Sequence, residues 1–186
     1  SFQFGGHTFR SYGDKGVGPV DMHRSIVKSS NVYYYSLANE MGVDLIHEQL
    51  EPFGFGVRTG IDVEGEVTGL LPSTEWKRKA YKKPELQKWY AGETISLGIG
   101  QGYNNFTMLQ LASATATIVA GGQRFEPRLV REIEAAVKGT KSRPDAQALA
   151  ALPYDPEHVA LIKRALHGVT QEGTSVRSFA NAPYKT

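Results

Sequence analysis

Cysteine is absent from this 186-residue chain, which excludes disulfides, thiolate catalysis and cysteine-type zinc sites. Net charge is scarce as well. Lys and Arg number 21 against 19 Asp and Glu, a balance of +2, so no nucleic-acid or membrane-surface partner is implied. No run of 18 apolar residues occurs, so no membrane-spanning helix is expected within these residues. The opening Ser1-Phe2-Gln3-Phe4-Gly5-Gly6 has neither the charged nor the apolar region of a signal peptide. The five histidines (His7, His23, His47, His158 and His167) lie far apart and none forms a metal-ligating pair. Gly98-Ile99-Gly100-Gln101-Gly102 lacks the third glycine of a dinucleotide fingerprint, and no Val/Ile-rich strand precedes it. What the chain does have is 40% apolar residues and 20 glycines, enough for a sizeable core built of short elements with many loops. One domain over residues 1–186 is the default at this length.

The pattern is mainly helical. Residues 1–20 predict short β or irregular structure, with Phe2, Phe4 and Phe9 among glycines that include Gly13, Gly16 and Gly18. Asp21 is an N-cap for a helix carrying Ile26 and Val27. Tyr33, Tyr34, Leu37, Ala38 and Met41 recur at helical spacing up to a stop at Gly42, after which Asp44 is expected to cap another short helix. Ser73 caps a basic helix from Trp76 to about Lys83, which Pro84 ends. Thr107-Met108-Leu109-Gln110 has the Thr-x-x-Gln form of a capping box. The helix after it is rich in Ala, Ser and Thr on most faces, which predicts burial between other elements. Ile61-Asp62-Val63 and residues 128–133 predict strands, and residues 138–154 a surface excursion. Asp155-Pro156-Glu157 opens a last helix whose buried stripe is Val159, Ile162, Leu166 and Val169.

Ser29-Ser30-Asn31 falls in the break between two helical runs, which aims a hydroxyl and an amide into a cleft. Alone, Ser-x-Asn is a common tripeptide. Here it is followed by Tyr33-Tyr34-Tyr35, the 98–102 glycine loop, Thr107-x-x-Gln110-Leu111-Ala112, Gly121-Gly122 and Glu172-Gly173-Thr174. Read in this order, the chain resembles the transpeptidase domain of class B penicillin-binding proteins, in particular the elongation-type D,D-transpeptidases. Gly18-Pro19-Val20, Phe53-Gly54-Phe55-Gly56, Thr59-Gly60-Ile61-Asp62, Pro72-Ser73-Thr74-Glu75-Trp76-Lys77 and Ala182-Pro183-Tyr184-Lys185 carry the resemblance further. One departure is Thr107-Met108, where relatives often have Thr-Pro.

The resemblance implies an α+β, β-lactamase/transpeptidase-like fold represented mostly by its helical lobe. It also implies three active-site motifs, Ser-x-x-Lys, Ser-x-Asn and Lys-Thr-Gly. Only the second is matched, by Ser29 and Asn31. The first is expected before Ser1 and the third just after Thr186. Ser25-Ile26-Val27-Lys28 fits Ser-x-x-Lys literally, but on one exposed helix face beside Ser29 it would have no pocket, and it is set aside. Arg58-Thr59-Gly60 is likewise a mimic of the third motif.

By the same resemblance the activity is peptidoglycan cross-linking by serine acyl transfer. The expected partners are stem peptides, β-lactam antibiotics, the cell-elongation machinery and a membrane glycosyltransferase, and no metal or organic cofactor enters. The resemblance places the domain in the bacterial periplasm, tethered to the inner membrane by a segment outside this chain. A β-lactam sensor domain of the same fold, and a non-catalytic module in which Ser29 and Asn31 are only a capping turn, are the alternatives.

Overall fold

The computed structural model describes residues 1–11, 16–137 and 139–183. Gly13, the first residue of the predicted excursion (Lys138), and Tyr184-Lys185 lie outside them. The chain opens with a hairpin, β1 (Phe2–Phe4) and β2 (His7–Phe9), paired antiparallel with Phe2 opposite Phe9. Its phenyl rings pack on Tyr35, at 6.5 Å for Phe2 and 5.3 Å for Phe9, so a two-stranded ribbon that would be marginal alone is held by the helix it covers.

Helix α1 (Met22–Val27) begins where Asp21 accepts a 2.7 Å hydrogen bond from the Arg24 amide, the predicted cap. Helix α2 (Asn31–Leu50) is two helical runs that meet at a kink, and the break falls at the predicted Gly42, non-helical at φ +73° and ψ +163°. Asp44 does not cap the second run, as expected of it, because its side chain is turned to another helix. Its carboxylate accepts from the amide and hydroxyl of Thr74, both at 2.8 Å, at the start of α3 (Thr74–Ala80). Ser73 caps α3 through the Trp76 amide at 3.0 Å. Two short helices follow, α4 (Pro84–Gln87) and α5 (Ala91–Leu97).

Helix α6 (Met108–Val119) has the predicted capping box. Thr107 Oγ1 accepts from the Gln110 amide at 3.1 Å, and Gln110 Oε1 accepts from the Thr107 amide at 2.9 Å. Burial of α6 is one-sided, contrary to expectation. Gln110, Ala114 and Thr117 face inward, while Met108, Leu111 and Val119 are exposed, Met108 at 79%. Helix α7 (Pro156–Gln171) starts at the Asp155 cap and packs on α1. Its inward residues are Val159, Ala165 and Gly168, and Leu166 turns outward, so the predicted stripe is rotated toward the smaller side chains that let α1 approach. The four-residue α8 (Val176–Phe179) follows.

The strand predictions in the middle were too generous. Ile61-Asp62-Val63 is a bend whose Asp62 carboxylate accepts from the Leu129 and Val130 amides at 2.6 and 3.0 Å. Those amides are thus bonded to a side chain instead of a neighbouring strand. Within the span from 128, only β3 (Ile133–Glu134) forms, paired with β4 (Lys141–Ser142). A core under the glycine-rich loops gathers Phe55, Leu71 and Ala114 with Leu50, Phe53 and Phe106, the Phe55 and Phe106 rings 4.2 Å apart.

Candidate active site

The break between α1 and α2 is a tight turn. The Ser29 amide donates to Ile26 O at 3.1 Å and the Ser30 amide to Ser25 O at 2.8 Å. Closing it forces Ser29 into the left-handed region, at φ +51°, among the described residues the only non-glycine with positive φ. For an L-residue that conformation costs about 1–2 kcal/mol. The Ser29 side chain is exposed, Ser30 is buried at the N-cap position, and Asn31 is the first residue of α2. Asn31 is half-buried, and its side chain makes no hydrogen bond to any other described residue, so its amide is open to a ligand.

Close approaches at three glycines hold this turn from two sides. On one side, Val27 seats in a notch of α7, where a Cβ at Gly168 would fall 2.8 Å from Val27 Cγ2 and one at Gly173 would fall 2.4 Å from Val27 O. On the other, Gly98 at the end of α5 is pressed against α2. A Cβ there would stand 2.4 Å from Tyr34 O and 2.7 Å from Ala38 Cβ. The Glu172–Thr174 segment is thereby brought to the turn. Lys28 Nζ donates to Glu172 O at 2.5 Å, and Ser29 Oγ lies 3.3 Å from Thr174 Oγ1. A cleft of about 770 Å³ lies beside the turn, lined by Arg10, Ser11, Val17, Ser30, Tyr33 and Glu40. Ser29 and Asn31 are not part of that lining.

Ser25 is not on an exposed face, as the sequence suggested, but wholly buried. Its hydroxyl donates to Met22 O at 2.7 Å and contacts Tyr34 Oη at 3.2 Å. Burial raises the Tyr34 phenol above its ordinary value, against the lowering effect of the Ser25 contact. With Lys28 turned to Glu172, neither the hydroxyl nor the ammonium of this Ser-x-x-Lys look-alike is placed to attack a substrate.

The sequence profile of the Penicillin binding protein transpeptidase domain family matches residues 2–186. The chain belongs to this family. It is 37% identical over 182 residues to the peptidoglycan D,D-transpeptidase MrdA of Haemophilus influenzae, a match covering 95% of this chain and 27% of that protein. The crystal structure of Pseudomonas aeruginosa PBP2 in complex with WCK 5153 superposes with a TM-score of 0.78 at 32% identity, over 99% of this chain and 41% of that one. A structure describing the coordination of polymerization and crosslinking by a peptidoglycan synthase complex gives the same TM-score and identity, over 99% of this chain and 30% of that one. The chain therefore has the β-lactamase/transpeptidase-like fold and spans about a quarter of the length of the curated relative.

Two further features of this transpeptidase domain lie outside the sequence-based assignments. Lys77, in the sequence one of the cations of a basic helix, is buried, with Nζ 2.5 and 2.6 Å from the two Glu93 carboxylate oxygens. The ammonium also lies 5.4–5.5 Å from the ring centres of Trp89, Tyr90 and Tyr103. Burial alone would raise the Glu93 carboxyl, but hydrogen bonds from Lys77 and the Tyr90 amide hold it below its ordinary value. The neighbouring Tyr103 phenol is pushed up to about 12, first by its hydrogen bond with Tyr81, then by burial and the Glu93 charge. Because Glu93 sits in the first turn of α5, the pair fixes the helix whose other end, Gly98, supports α2.

The second feature is the tail of the capping-box residue Gln110. Its Nε2 donates to Val57 O and Thr68 O, both at 2.7 Å, tying the 54–71 loop to α6. The Thr-x-x-Gln spacing announces the cap but not this cross-link. Thr174 beside Ser29 was visible only as one of the segments that carried the resemblance.

Proposed function

We propose that this chain is the portion of a peptidoglycan D,D-transpeptidase that carries its Ser-x-Asn motif, with Ser29 and Asn31 as active-site residues. The observation that carries this is the turn itself: an exposed hydroxyl held in a strained left-handed conformation, next to an amide with no internal partner, on a chain of transpeptidase family. The relatives' names favour cross-linking over the sensor and the non-catalytic module.

In this reading a serine from a Ser-x-x-Lys motif beyond these residues attacks the penultimate D-Ala carbonyl of a stem peptide. The carbon–nitrogen bond to the terminal D-Ala breaks, and the leaving amine takes a proton relayed through the Ser29 hydroxyl. An amine of a neighbouring stem then attacks the ester, forming the cross-link and returning the serine. The relay contributes about 10²–10⁴ in rate. Asn31 donates its side-chain amide to a substrate carbonyl and fixes orientation. β-Lactams stop at the acyl-enzyme.

The similar structure of a peptidoglycan synthase complex that coordinates polymerization and crosslinking supports a polymerising partner, in line with a membrane glycosyltransferase and the elongation machinery. Among the described residues no helix is long and apolar enough to cross a membrane. The periplasmic, membrane-anchored setting is therefore a proposal that rests on the family.

Fluorescent penicillin tests this. In the full-length enzyme Ser29→Ala should sharply slow acylation. The 186-residue chain alone should show no covalent penicillin adduct by mass spectrometry, because its Ser25 is buried. A stoichiometric adduct on the isolated chain, above all one mapping to Ser25, would overturn the assignment.

A further inference from the structure

We infer that Thr174 is a positioning residue for Ser29: its hydroxyl fixes the rotamer from which Ser29 relays the proton, an inference that rests on the acyl-transfer reading above. The two hydroxyl oxygens are 3.3 Å apart across 145 positions of sequence. Both side chains are exposed, so a bond between them adds little to stability. Its consequence is directional. An exposed serine hydroxyl samples three staggered wells, and only some of them aim its oxygen at a reacting group. Thr174 can donate or accept, so it can follow Ser29 as that residue takes a proton and gives one up.

The surrounding backbone is built to keep Thr174 where it is. The α7 helix ends with the Glu172 amide donating to Gly168 O at 3.0 Å, and Ser175 donates to Val169 O at 3.2 Å. Between them, Gly173 is enclosed. A Cβ there would lie 2.4 Å from Val27 O, 2.7 Å from Val169 Cα and 2.8 Å from Val169 O, so any side chain would push the segment off the turn. Lys28, the residue just before Ser29, bonds Glu172 O at 2.5 Å and ties the two backbones together a second time. Ser29 itself is fixed in backbone by its left-handed turn. Two rigid backbones thus meet at one pair of hydroxyls, which are the parts still free to rotate.

The test is a mutant cycle in the full-length transpeptidase, read as the rate of acylation by fluorescent penicillin. Thr174→Val removes the hydroxyl and keeps the branched shape. It should slow acylation about tenfold or more, the order expected from losing orientation of one relay group. Thr174→Ser should retain most of the rate. In a Ser29→Ala background Thr174→Val should add nothing, since there is no hydroxyl left to position. Thr174→Ala is carried through the same cycle, so a packing defect specific to valine does not decide the result.

If Thr174→Val acylates within about twofold of wild type while Ser29→Ala is slow, Thr174 has no such role, and the acyl-transfer reading stands. Equal losses in the Val and Ser variants, or the same loss again in the Ser29→Ala background, would also refute it, because the effect would then be packing independent of Ser29. If Ser29→Ala acylates normally, both readings fall.

Discussion

Replacing Lys77 by methionine removes the charge and keeps most of the stem. In the native structure the ammonium is within 2.6 Å of both Glu93 oxygens, and the lysine side chain is 5% exposed. Removing one partner of a buried ion pair costs about 3–5 kcal/mol, chiefly because the remaining charge stays desolvated. The Glu93 side chain keeps 24% exposure, so some of that charge can be rehydrated, and the lower end, about 3 kcal/mol, is expected. The loss of three ring contacts to the ammonium adds to it, about 0.5–1 kcal/mol each at most.

Urea unfolding of the domain at neutral pH measures this, and its pH dependence identifies the cause. The folded state holds the Glu93 carboxyl below its unfolded value. Its contribution is therefore present above that unfolded value and lost as pH falls through the depressed one. The stability gap between wild type and Lys77→Met should stay open from neutral pH into the weakly acidic range, then narrow as Glu93 protonates. Adding Glu93→Gln to Lys77→Met should restore most of the loss, because an uncharged pair needs no counter-ion and glutamine still accepts from the Tyr90 amide. A loss below about 1 kcal/mol for Lys77→Met, or one that does not narrow in acid, would refute the argument.

Three further outcomes are expected. Thr107→Ala should cost about 0.5–2 kcal/mol as a lost cap, and Gln110→Ala distinctly more, since it also strands the Val57 and Thr68 carbonyls; equal costs in thermal unfolding would mean that the loop cross-link carries no energy. At position 29 glycine should be more stable than alanine by about 1 kcal/mol, because only glycine is unstrained at φ +51°, although both lose the hydroxyl; alanine equal or better by urea unfolding would mean the left-handed turn does not persist in solution. Gly98→Ala, at an ordinary helical φ, should still cost about 1–3 kcal/mol and slow penicillin acylation, because its Cβ would drive α5 away from Tyr34 O and shift the start of α2; unchanged stability and acylation would show that the contact gives way freely.

How much was legible beforehand follows the range of the forces involved. The Asp21, Ser73, Thr107 and Asp155 caps were readable because each is a bond between residues two or three apart, complete before any tertiary contact forms. The helix break at Ser29-Ser30-Asn31 was readable for the same reason. Gly42 was readable as well: it breaks the helical backbone at the position its residue type signals. Asp62 was read as strand, Asp44 as a cap and Lys77 only as part of a basic helix. Each is instead bonded to a residue 67, 30 or 16 positions away, and no periodicity encodes such a partner.

The amino-acid order alone thus determined the starts of α1, α3, α6 and α7 and the break between α1 and α2, whereas α4, α5 and α8 came only with the structure. Folding determined that Ser25 is sealed inside while Ser29 faces out, although both are serines one helical turn apart. The reason is physical: α1 seats Val27 against α7 while Ser25 turns to Tyr34 of α2, and the left-handed turn at Ser29 points the next hydroxyl away from both contacts, toward Thr174.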